Sequence, residues 1–170
     1  MATVPHHASG LVKATWTDED FASMGWHDCR VHAVSVTDCP DETLPPHRLL
    51  LDLDYIVRWV EPERRRGSFT FWVAPATLVF DGAWSIEGTL GPLDSGLEIA
   101  EVHRVDAPDD HADPLWRIEG HNFELRLRAS GFTQYIRQPP HHLARQELSL
   151  LERDGVSFAE KSVTDVRSSA

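Results

Sequence analysis

The chain has 170 residues, of which 41% are hydrophobic and 25% charged, the balance of a single globular domain and not of a disordered chain. Sixteen basic residues against 27 acidic ones give a net charge of -11. That charge argues against a phosphate-binding surface, and so against nucleic-acid partners. No apolar run approaches the ~18 residues of a membrane helix, and the first residues lack a basic flank or an apolar stretch. A cytoplasmic protein without membrane contact is the expectation.

Residues 1–15 lack periodicity and read as a loose lead-in. The segment 16–24 predicts a short helical turn, with Thr17 as N-cap, Asp20 at the third helical position and Gly25 beyond its end. Trp16, Phe21 and Met24 would face inward. A strand follows at about 29–37, which would hold the two cysteines, Cys29 and Cys39, roughly 30 Å apart at about 3.3 Å per residue. A disulfide needs Cα atoms within about 7 Å, so two free thiols and a reducing compartment are expected. Cys29 sits beside His27 and Asp28, but no nucleophile signature surrounds it, and it reads as a structural thiol.

The clearest signal runs from His47 to Val60. Leu49, Leu51, Leu53, Tyr55, Val57 and Trp59 alternate with Leu50, Asp52, Asp54, Ile56, Arg58 and Val60, so a long strand presents one fully apolar face. The charged stretch 61–67 turns the chain into a returning strand at 68–73. Pro75 predicts a bulge or an edge kink, 77–80 resumes the strand, and Asp81-Gly82 turns it into a further strand at 84–90. Strands are also expected at 97–105, 116–119, 123–129 and 132–137. The segment 141–153 could be a helix or a strand, since Leu143, Leu148 and Leu151 suit a helix poorly while Leu148 and Leu150 suit a short strand, and residues 160–170 read as a mobile tail. The whole predicts a mainly β fold: an antiparallel sandwich or barrel-like sheet of about eight strands with one short helix, spanning 16–159.

Asp52 and Asp54 project from one side of their strand, with Cα atoms about 6.5–7 Å apart. Such a pair can share a metal or divide acid and base roles. The plainer reading is a solvated face, or pairing with Arg126 and Arg128 on a neighbouring strand, with Arg58 as a further cation. His27, Asp28 and His32 are candidate metal ligands, although no metal-binding spacing accompanies them. The acidic loop Asp109-Asp110-His111 lacks the glycine and spacing of a calcium loop, and Arg64-Arg65-Arg66 reads as a solvated turn. Trp59 and Trp72, expected near opposite ends of the hairpin arms, would line a cleft or partner surface if exposed.

Four strings occur together: Gly25-Trp26-His27-Asp28-Cys29, the run from Leu51 to Trp59, the run from Phe71 to Phe80, and Thr133-Gln134-Tyr135-Ile136-Arg137. In combination they resemble a group of small uncharacterised bacterial proteins over roughly residues 16–140. The resemblance implies a bacterial single-domain protein and carries no activity. The functional expectation is a non-catalytic binding protein without a cofactor, docking on a basic protein partner as inhibitor or immunity-type proteins do. Its binding residues would be Asp52, Asp54, Arg58, Trp59 and Trp72. The rival is a metal-assisted hydrolase or other small-molecule enzyme using His27, Asp28, Asp52 and Asp54. A third reading is a barrel with a dry, ring-lined cavity for a small molecule.

Overall fold

The computed structural model describes residues 9–107 and 112–163; the acidic loop 109–111 lies outside them, as do residues 1–8 and 164–170. Among the described residues nine strands form one antiparallel sheet: β1 (Thr15–Thr17), β2 (Arg30–Asp38), β3 (His47–Val60), β4 (Thr70–Leu90), β5 (Leu97–Val105), β6 (Leu115–Gly120), β7 (Phe123–Arg128), β8 (Thr133–Ile136) and β9 (His141–Leu143). A short 3-10 helix, Asp18–Ser23, follows β1, with the Asp20 carboxylate accepting from the Thr17 amide at 3.0 Å. The fold is therefore mainly β and single-domain. No helix among the described residues is long and apolar enough to cross a membrane.

Six strands close into a ring in the order β4-β3-β2-β5-β6-β7, and β7 returns to pair with β4. The 21 residues of β4 make this closure. Its first part pairs with β3 on one edge and with β8 and β9 on the other, while residues 84–90 pair with β7. The three strands expected at 68–73, 77–80 and 84–90 are thus one strand. Gly82 (φ 61°) and Ser85 (φ 48°) bend it in the left-handed region without ending it. The expected bulge at Pro75 is also absent: Leu53, Asp54 and Tyr55 face Ala76, Pro75 and Ala74 in unbroken register. Pro75 lacks an amide hydrogen, but it lies where the outer ladder is interrupted between β8 and β9, and its carbonyl accepts from the Arg137 amide at 2.9 Å.

A small barrel is filled by its own inward side chains. Leu49, Leu51, Leu53 and Tyr55 point inward and meet a cluster of rings, Phe21, Trp26, Phe80, Trp116 and Phe132, spaced 5.4–6.4 Å between centroids. These rings occupy the interior that a ligand cavity would need. Both cysteines are free, Cys29 being buried. Burial, joined by the nearby Asp54, Asp28 and Glu98 carboxylates, pushes its thiol up to about 12, which removes the thiolate a nucleophile requires.

The opposite face of β3 is buried too, by the chain that follows β8. After β9, residues 144–163 run as an irregular strap across Leu50, Asp52, Asp54 and Ile56. The loose tail expected from 160 does not hold for residues 160–163. Glu160 pairs with Arg48 at 2.6 Å, the Ser162 hydroxyl donates to the Ala14 carbonyl, and the Val163 amide donates to the Ile136 carbonyl at 2.7 Å.

Candidate functional site

Two constellations contain the residues singled out from the sequence, and they differ in access. The first centres on Asp52 and Asp54, both fully buried. Their partners are not Arg126 and Arg128, which bind Glu124 and the Asp113 carbonyl on the barrel's other side. Arg153 of the strap, equally buried, grips Asp52 through both terminal nitrogens at 2.6 and 2.7 Å and donates from Nε to Asp54 at 3.0 Å. Arg137 adds a bond to Asp52 at 2.8 Å, and the Ser157 amide another at 2.9 Å. The second Asp54 oxygen receives the Leu148 amide at 2.9 Å and lies 2.7 Å from His32 Nε2.

These bonds saturate both carboxylates, so a substrate arriving from solvent meets neither. Asp52 and Asp54 are therefore a lock for the strap and not a docking face. His32 belongs to that lock and stands apart from His27 and Asp28. Burial works against ionising Asp52, but Arg153, the Ser157 amide and Arg137 outweigh it and hold the carboxyl below the usual range.

A depressed folded-state pKa gives stability that is present above the unfolded value of about 3.9 and is lost as pH falls through the folded value. Thermal melts across pH should be level near neutrality and fall steeply below about pH 4. An Asp52→Asn variant should melt lower than the wild type at pH 7, with the gap narrowing as the pH drops. A gap that stays constant to acid pH would remove Asp52 from this role.

The second constellation lies at the open edge where β2, β5 and the β6–β7 turn meet. The Asp28 amide donates to the Ile99 carbonyl, the Ile99 amide to the Cys29 carbonyl, and the His121 amide to the Glu98 carbonyl, all at 2.8–3.0 Å. This ladder aligns three side chains from distant parts of the chain. His121 Nε2 stands 3.3 Å from Glu98 Oε1 and 3.7 Å from Asp28 Oδ1. His27 Nε2 lies 3.5 Å from the same Asp28 oxygen, and its Nδ1 is 3.0 Å from the Ala100 carbonyl. The strap reaches here as well, Gln146 Nε2 donating to Asp28 Oδ2 at 2.9 Å. Asp28 itself sits at φ 62°, in the left-handed region. Partial burial and the adjoining Asp28 carboxylate raise the pKa of Glu98.

His27 also carries the site onto an aromatic ledge. Its ring stacks on Trp59 at 6.1 Å, and Trp59 meets Phe69 and Phe71 edge-on at 6.0 and 4.9 Å. Trp59 is 39% and Phe69 44% exposed. Trp72 is not at the other end of the hairpin: it faces Arg58 next to the Trp59–Phe71 pair, and it is buried under His142 at 4.7 Å. Of the five residues expected to bind a partner, Trp59 and Arg58 reach the surface. Of the three expected metal ligands, His27 and Asp28 share this edge, joined by Glu98 and His121. No protein-family model, curated protein or solved structure matches the chain.

Proposed function

We propose that this protein acts by binding, in the cytoplasm, and that its target is a protein with a basic surface. The observation that carries the reading is the ledge of Trp59 and Phe69, two large exposed rings in contact with Phe71 and His27, with Asp28 beside His27. Rigid aromatic anchors lose little conformational entropy on docking and dominate many interfaces. Charge supplies the approach. Arg48, Arg104, Arg117, Arg126, Arg137, Arg145 and Arg153 are committed to carboxylates of the chain itself. The acidic excess of 11, in which every arginine is already counted, draws a basic partner and speeds encounter. The two free thiols support a reducing compartment.

Affinity capture from the source cells with wild type and Trp59→Ala tests this. The expected outcome is a basic protein retained by the wild type and released as salt is raised. Its affinity for the variant should be roughly 30-fold weaker, the loss of a hot-spot ring. Equal retention by the variant, or an acidic captured protein, would overturn the reading.

A further inference from the structure

We propose that Asp28, Glu98 and His121 form a binding site for a divalent transition-metal ion, with Zn2+ the ion that suits the donors best. This inference does not depend on a protein partner. One donor atom from each residue lies within 4.8 Å of the others. A four-coordinate ion with ligands at ~2.1 Å spaces its donor atoms about 3.4 Å apart. The observed separations of 3.3 and 3.7 Å from His121 to the two carboxylates fit that spacing. They are longer than the ~2.7–3.2 Å of a good N–H···O hydrogen bond.

The outer contacts are those a metal site uses to orient its ligands. Gln146 ties one oxygen of Asp28 and leaves Oδ1 turned toward His121. His27, its Nδ1 held at the Ala100 carbonyl, directs Nε2 at the same oxygen at 3.5 Å and lies outside the group of three donors. Arg30 flanks Glu98, but its head lies against Gly96 and its Nη1 donates to the Ser95 carbonyl at 3.0 Å. A mixed set of one imidazole and two carboxylates favours a first-row transition ion, since Mg2+ and Ca2+ prefer all-oxygen shells. The ion would also relieve the opposition between the Asp28 and Glu98 charges.

The test is calorimetric titration of Zn2+, and separately Mg2+, into chelator-treated full-length protein. One Zn2+ per chain should bind, and Mg2+ should bind at least tenfold more weakly. His121→Ala and Glu98→Gln should each weaken Zn2+ at least tenfold while melting, without metal, like the wild type. With ten histidines in the chain, a stray site needs its own control. His103→Ala, which removes a ring paired to Glu119 at 2.8 Å elsewhere on β5, should leave the affinity unchanged. Should one of the two ligand variants misfold, the other carries the comparison. The proposal is overturned if the wild type takes up no Zn2+, if both ligand variants bind as the wild type does, or if His103→Ala abolishes binding.

Discussion

Replacing Arg153 with methionine should destabilise the protein by about 3–5 kcal/mol, because the strap's guanidinium is the principal counter-charge of two buried carboxylates. Methionine fills much of the same space without charge, so the loss reports on electrostatics more than on packing. Arg137 and His32 would still face Asp52 and Asp54, but three donated bonds to the pair disappear and no water takes their place in a closed site. For a chain of this length the melting temperature should fall by about 6–20 °C. Denaturant melts give the free energy directly. A loss under ~1 kcal/mol, the worth of a solvent-screened pair, would mean the network is not closed to water. The triple variant Arg153→Met, Asp52→Asn, Asp54→Asn should recover part of the loss, since it leaves no orphan charge. Arg153→Met should also open the strap to proteases near residues 144–157. That opening would free Gln146 from Asp28 and loosen the metal ligands, which links the lock to the site.

What the sequence made legible, and what it hid, divides along physical lines. The period-2 pattern of 47–60 marks β3 to the residue, because alternation is a local property of one strand, and the strand expected at 97–105 matches β5. The same reasoning split β4 in three. Pro75 and Asp81-Gly82 are breaker signals, and only the neighbouring strands reveal that the ladder has a gap for the proline and a bend for the glycine. The strap defeated periodicity for a different reason. Its path is set by backbone amides and an arginine reaching two aspartates about 100 positions earlier, not by an apolar stripe of its own. The pair Asp52 and Asp54 was visible, but its partner was not, since opposite charges in sequence carry no address. At the open edge, adjacency exposed His27 and Asp28, while Glu98 comes from β5 and His121 from the β6–β7 turn, and neither shares a motif with them. His32 looked equivalent to His27 in sequence. Its position on the bulged start of β2 sends it to Asp54 instead.

Trp116→Ala should cost about 3–5 kcal/mol, whereas the same change at Trp59 should cost about 1 kcal/mol. Trp116 is fully buried and is packed by Phe21, Phe80 and Phe132 at 5.4–5.6 Å, and its Nε1 donates to the Ala129 carbonyl at 3.0 Å. Truncation there leaves a cavity at the centre of a closed ring of strands, where the backbone ladders prevent collapse, and it orphans a buried carbonyl. Trp116→Phe should recover most of the packing and leave a deficit of about 1–3 kcal/mol from the unpaired carbonyl. Trp59 touches Phe69, Phe71 and His27 but keeps 39% of its surface in water, so its ring can be cut back while solvent fills the space. Urea melts of the three variants give the order directly. Equal losses at the two positions would mean Trp59 is a core ring, and the ledge would no longer be a candidate anchor. A small loss at Trp59 joined to a large loss of partner binding would separate recognition from stability, since the ring would then be retained for what it meets and not for what it holds together.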